Sequence, residues 1–193
     1  YDGNAGYPYS QAFIRTDVKT VLSGDIDLSA LKQYTVGCNA NFSSGTSVPS
    51  SALLHFTKGV SWPGKTLRVN AYGDVRFDGP VVLGSMTVGY NSALGGDIIL
   101  ASRENKITNI SLNRANIVTA DDSVISGTVF SVSRGFSSQS YSALNLSGKN
   151  QTLASLQYDS GSAKNYYSGK SVYILSSDPA FLRLIGEGTS RTS

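Results

Sequence analysis

Hydrophobic residues in this chain recur in short alternating runs, separated by turns rich in Gly, Ser and Asn. Residues 107–112 alternate apolar and polar side chains, a pattern typical of a half-buried β-strand. Comparable runs follow one another about every ten residues, a spacing that favours an all-β fold over an α/β fold. The runs predict strands over 34–42, 53–57, 66–70, 74–78, 81–88, 97–101, 107–112, 116–119, 123–133, 142–146, 152–158, 171–175 and 181–185.

One segment has a helical spacing. Leu28 and Leu31 lie three residues apart, and Asp27 is of a type that caps a helix, so we expect one or two helical turns within 27–34. Residues 71–73 separate two strand signals in a way that predicts a hairpin.

The sequence pattern changes near residue 80, from a compact mixed module to a long series of β segments with small residues between them. We expect a connector over 1–21, a small mixed β module over 22–79 and an elongated β-rich part over 80–193. A sandwich or barrel, a β-helix or β-prism, and a prism shared by three chains all fit this last part. Asn-rich corners such as Asn105, Asn109, Asn113 and Asn116 suit stacked coils. The modest apolar content of each strand favours sharing among chains, so we predict a homotrimer.

Composition narrows the class further. Only 15% of residues are charged, against 40% hydrophobic, and glutamate occurs only twice. Good helix formers are therefore scarce, which excludes a helical bundle, a coiled coil and a doubly wound α/β fold. Cys38 has no partner for an internal disulfide. No apolar run is long enough for a membrane-spanning helix, so we expect no membrane insertion. The net charge of +3 is spread over single Lys and Arg residues, which predicts no nucleic-acid partner.

The sequence assigns no catalytic residue, metal ligand or cofactor. His55 lies in an apolar strand signal with no nucleophile or carboxylate beside it, and Cys38 fits a buried strand position. Glycan-cleaving enzymes use two carboxylates. The candidate pairs are Asp25 with Asp27, Asp74 with Asp78, Asp121 with Asp122, and Glu104 with Glu187. None has a context that marks an active site, so the sequence favours a non-enzymatic protein.

Residues 27–37 resemble the opening of the small knob module of phage tail fibres and pyocin fibres. The loop at 43–49, the strand at 53–56 and the predicted hairpin at 67–77 extend this resemblance over residues 22–78. The region from Pro80 onward is similar in composition to the stalk and C-terminal segments of phage tail fibres and tailspikes.

This resemblance implies an extracellular, trimeric protein in the tail of a virion, which binds bacterial surface polysaccharide during host attachment. Two alternatives stay open: a fragment of a capsule or lipopolysaccharide depolymerase, acting as a glycan hydrolase or lyase, and a cellular adhesin or lectin domain. The sequence names neither the glycan nor the host.

Aromatic and basic residues around the predicted hairpin form the candidate glycan-binding patch. Arg68 and Arg76 alternate with apolar strand residues and should both face solvent, where guanidinium groups bind acidic sugars or phosphates. Trp62 and Tyr72 flank these strands, and sugar rings pack on aromatic rings. The competing interpretation is that the Trp62 indole packs on the protein's own core.

Overall fold

The structure is a computed structural model that describes residues 12–16, 18–31, 35–40, 52–71, 73–89, 96–113, 115–133, 142–159 and 172–186. These residues form seventeen β-strands and no helix, which confirms the predicted all-β class. The strands are β1 (Ala12–Thr16), β2 (Lys19–Leu22), β3 (Ile26–Asp27), β4 (Thr35–Ala40), β5 (Leu53–Phe56), β6 (Val60–Ala71), β7 (Asp74–Phe77), β8 (Val81–Gly89), β9 (Asp97–Leu100), β10 (Lys106–Asn113), β11 (Asn116–Thr119), β12 (Val129–Ser133), β13 (Ser142–Asn145), β14 (Gln151–Leu153), β15 (Ser155–Asp159), β16 (Val172–Leu175) and β17 (Leu182–Leu184).

All pairing between these strands is parallel. Sheet 1 has the order β1-β4-β6-β8-β10-β12-β15, and sheet 2 has the order β2-β5-β7-β9-β11-β13-β16. A third ladder contains β3 and the first residues of β6, β8 and β10. Later in the chain, β14 and β17 pair with each other and extend this set of strands. The chain visits sheet 2, the third ladder and sheet 1 in turn. The chain therefore winds in coils, where one coil is one passage through the three sets of strands. Among the described residues, each inner coil pairs with the coils before and after it.

Inward-facing side chains fill the space between the sheets in registered columns. In the first inward column of sheet 2, each residue pairs with the residue on the next strand, and all are fully buried. The column contains Leu54, Val75, Ile98, Ile117 and Leu144. A second column stacks the Phe56 and Phe77 rings with centroids 4.8 Å apart. Period-2 alternation sends one residue inward and the next outward, so β5, β7, β9 and β11 each give the core two side chains.

The corners between strands bring neighbouring coils into close backbone contact. A Cβ atom on Gly79 would lie 2.2 Å from the Lys58 carbonyl carbon, so only glycine fits there. Asn105 links three coils, since its Oδ1 accepts the Val81 N–H at 2.8 Å and its Nδ2 donates to the Val124 carbonyl at 3.0 Å. The expectation of Asn at stacked corners holds at Asn105 and is wrong at Asn109, which lies inside strand β10.

Two sequence-based expectations about local structure differ from the fold. The predicted hairpin is wrong, because β6 and β7 belong to different sheets and do not pair with each other. The predicted helix does not form in the described part of 27–34: Asp27 accepts the Ser29 N–H at 2.9 Å in a tight turn, and the Leu28 side chain packs into the core. Residues 32–34 lie outside the described residues.

The predicted connector over 1–21 contains strand β1 and most of β2, paired with β4 and β5. Residues 1–11 of that segment lie outside the described residues. Both main sheets continue across residue 80, where β6 pairs with β8 and β7 pairs with β9. The change in sequence pattern near residue 80 therefore coincides with no break in strand pairing.

Candidate functional site

Polar and charged side chains gather on the outer face of sheet 2, over four neighbouring strands. Each of these residues lies outward because the adjacent strand positions, such as Val75 and Ile98, are buried in the core. We call this set the polar strip; its members are His55, Asp74, Arg76, Asp78, Asp97 and Asn116.

The Asp78 carboxylate holds one half of the polar strip together. His55 and Arg76 are direct register partners on β5 and β7, and Asp78 immediately follows β7. His55 Nε2 lies 2.6 Å from Asp78 Oδ2, and Arg76 Nε donates to Asp78 Oδ1 at 2.7 Å. Because a carboxylate oxygen accepts, His55 Nε2 is the donor in its bond to Asp78.

These bonds decide the charge of Asp78. Burial disfavours the ionised carboxyl, but the bonds from His55 and then Arg76 outweigh burial and lower the pKa of Asp78 below its ordinary value. The carboxylate therefore stays ionised at neutral pH and forms an ion pair with Arg76. Among the described residues, no hydrogen bond from the two Arg76 Nη groups is found. Within the described residues, no hydroxyl or thiol bonds to His55, so the His55–Asp78 pair activates no nucleophile there.

The other half of the polar strip is a ladder of two carboxylates and an amide. Asp74 Oδ1 accepts the Asp97 N–H at 2.9 Å, and Asn116 Nδ2 donates to Asp97 Oδ1 at 3.3 Å. Burial raises the pKa of the Asp97 carboxyl, the Asn116 bond partly offsets this, and the Asp74 charge raises it further.

The three described residues of the predicted glycan-binding patch, Trp62, Arg68 and Arg76, do not share a face. Trp62 is only 1% exposed and packs in the core, as the competing interpretation stated, so its ring is not available to a ligand. Arg68 is exposed on β6 in sheet 1, whereas Arg76 is partly exposed on β7 in sheet 2. Tyr72 lies outside the described residues. Of this patch, Arg76 alone belongs to the polar strip.

Other carboxylates named from the sequence stabilise turns. Arg103 binds both oxygens of Asp121, at 2.9 and 2.6 Å, and this bond lowers the pKa of Asp121. Asp122 Oδ1 accepts the Asn150 N–H of the next coil at 2.8 Å. Asp25 Oδ1 accepts the Gly59 N–H at the same distance. Glu187 lies outside the described residues.

Sequence reasoning missed most of the polar strip. His55 and Asp78 are separated by 23 residues, and Asp74 and Asp97 also belong to different coils. The signal that could have found them is the registered repeat: polar residues at outward positions of consecutive parallel strands stack on one another.

Among the described residues, no group of three or more His, Cys, Asp or Glu side chains could hold a metal ion. That part of the chain also has no helix long and apolar enough to cross a membrane. Comparisons with protein-family models, curated protein sequences and solved structures return no match. Functional inference therefore depends on the geometry of the polar strip.

Proposed function

We propose that the chain is a parallel β-helix whose polar strip binds bacterial surface polysaccharide, as a segment of a phage tail fibre or tailspike. The polar strip is the observation that carries this proposal, because it sets hydrogen-bonding side chains on consecutive coils of one outer sheet face. The location in a virion tail and the homotrimer follow from the resemblance of the sequence to tail fibres.

The repeat of the coils suits a repeating polymer. Parallel strands lie about 4.8 Å apart, so a stack of coils offers equivalent positions along a straight line. A polysaccharide chain offers hydroxyl groups at regular intervals along its own length. Carboxylates and an amide, as at Asp74, Asp97 and Asn116, are well suited to accept and donate hydrogen bonds to hydroxyls.

The charge of the polar strip indicates the kind of glycan. Three carboxylates, on Asp74, Asp78 and Asp97, face one guanidinium and one imidazole. A strongly anionic polymer would meet repulsion from the carboxylates, which Arg76 alone does not offset. The strip therefore fits a hydroxyl-rich glycan of low charge, with Arg76 placed for an occasional acidic substituent.

A pair of arginines provides the test. Arg76→Ala should weaken binding of purified bacterial surface polysaccharide at least severalfold in isothermal titration calorimetry. Arg68→Ala removes an exposed arginine from sheet 1 and should leave binding unchanged. Equal losses in the two variants, or no loss in either, would contradict a site on sheet 2.

One observation favours a depolymerase as the second candidate function. Asp74 and Asp97 lie on adjacent strands, where the Asp97 N–H donates to Asp74 Oδ1, and burial raises the pKa of the Asp97 carboxyl. A carboxyl group with a raised pKa beside a second carboxyl group is what a general acid needs for glycoside cleavage. Size-exclusion chromatography of polysaccharide after incubation tests this candidate. Shortening by the wild type but not by Asp97→Asn would support it, and an unchanged polymer would leave binding alone.

A further inference from the structure

The last described coil exposes side chains that should lie inside the core. Ile174 pairs with the fully buried Leu144, and Leu184 pairs with the fully buried Leu153, so both occupy inward positions. They are nonetheless 40% and 48% exposed. Phe181 and Ile185 beside them are also largely exposed. Within the described residues, nothing covers this end of the stack, and β15, β16 and β17 are edge strands.

The first described coil has a matching cross-section. β1 and β15 each have five residues, and β2 and β16 each have four. Its own edge positions include the exposed apolar residues Val18 and Val21. A first coil could therefore continue all three ladders of a last coil by parallel pairing.

The register of the sheets identifies which residues would meet. Following the columns of sheet 2, Ile174 corresponds to Thr20 and Leu175 corresponds to Val21, so two exposed apolar side chains become neighbours. In the third ladder, Asp27 lies outward between Ile26 and Leu28 of the first coil.

Opposite charges then meet in the third ladder. Arg183 lies outward between Leu182 and Leu184 of the last coil, just as Asp27 lies outward between Ile26 and Leu28 of the first coil. Both side chains are exposed, so an ion pair can form without displacing a core residue. Strand length, apolar contact and charge thus agree on one arrangement.

We propose that the end of the stack formed by β15, β16 and β17 docks on β1, β2 and β3 of a second copy of this chain. The contact joins two different surfaces and stacks one copy's coils in line on those of the next, so longer assemblies grow by the same step. It uses the ends of the coil stack and is independent of any association along its sides.

Sedimentation velocity of the 193-residue chain over a wide concentration range tests this proposal. The weight-average sedimentation coefficient should rise continuously with concentration. Ile174→Lys should weaken association at least about 100-fold, because it buries an unpaired ammonium in the junction. Arg183→Asp and Asp27→Arg should each weaken association about two- to tenfold, from exposed attraction to repulsion.

Mixing the two charge variants distinguishes this arrangement from others. In a mixture of Arg183→Asp and Asp27→Arg chains, opposite charges meet again wherever the two variants alternate, so association should recover. Arg68→Asp is the control, since Arg68 is exposed in the middle of sheet 1 and should not affect the junction. Thermal melting by circular dichroism checks that each variant folds, and the two exposed charge variants suffice should Ile174→Lys not fold.

Three outcomes would overturn the proposal. The first is a sedimentation coefficient that does not depend on concentration. The second is a single oligomer of fixed size that none of the variants changes. The third is association that Ile174→Lys abolishes but that charge reversal and mixing do not affect, which would place a different partner surface on this end.

Discussion

Replacing Gly79 by Ala tests the close contact between neighbouring coils. A Cβ at this position would lie 2.2 Å from the Lys58 carbonyl carbon, 2.4 Å from its oxygen and 2.6 Å from the Gly59 nitrogen. Carbon atoms in ordinary contact are about 3.5–4.0 Å apart. All three neighbouring atoms are backbone, so no side chain can rotate away, and the two coils must separate by more than about 1 Å.

The magnitude follows from what that separation breaks. The corner is held by the Asp78 N–H donating to the Phe56 carbonyl at 2.9 Å and by the Val60 N–H donating to the Pro80 carbonyl at 2.8 Å. Losing two such bonds costs about 1–3 kcal/mol at about 0.5–1.5 kcal/mol each. This agrees with about 1–3 kcal/mol for overpacked sites in general.

Urea unfolding followed by circular dichroism is the assay, with Gly24→Ala as the matched control. A Cβ on Gly24 meets nothing within 4 Å, so this variant should be neutral or gain up to about 1 kcal/mol. Gly79→Ala should lose about 1–3 kcal/mol, which lowers the Tm by roughly 2–12 °C for a chain of this size. A Gly79→Ala protein as stable as the Gly24→Ala protein would refute the stacking geometry.

Two further predictions concern the core and the polar strip. Phe77→Ala should destabilise the fold by about 3–5 kcal/mol in the same urea assay, because a fully buried ring stacked on Phe56 is lost; a cost below about 1 kcal/mol would contradict the burial. Asp78→Asn should lose about 1 kcal/mol at pH 7, because the ion pair is partly exposed. Its folded pKa is lowered, so the wild-type advantage holds above the unfolded value of about 3.9 and disappears as pH falls through the folded value. A difference between the two proteins that did not change between pH 7 and strong acid would contradict the assignment.

The strand positions were predictable because alternation is a local property. Each of the thirteen predicted runs overlaps an observed strand, from β4 to β17. The direction of pairing was not predictable in the same way, since side chains alternate with period 2 in parallel and antiparallel sheets alike. Residues 71–73 therefore predicted a hairpin, although the strands on either side of them belong to different sheets.

The site was less accessible to sequence reasoning, because its residues come from different coils. Arg76 was identified as an outward residue by its position between Val75 and Phe77, and it lies in the polar strip. Its contact with Asp78 is local, but the His55 contact requires the register of β5 on β7. From the sequence, Trp62 could be assigned either to a glycan-binding surface or to the core. Its burial assigns it to the core.

His55 gives the most direct test of glycan binding at the polar strip, because it is the single histidine of the chain. Its imidazole gives one set of ring signals in a ¹H–¹³C NMR spectrum, and the ring lies against Asp78 and beside Arg76. During titration with purified bacterial surface polysaccharide, the ring signals of the wild-type protein should shift and saturate together with binding measured by calorimetry. Saturable binding with His55 signals that stay unmoved would contradict the assignment of the glycan site to the polar strip.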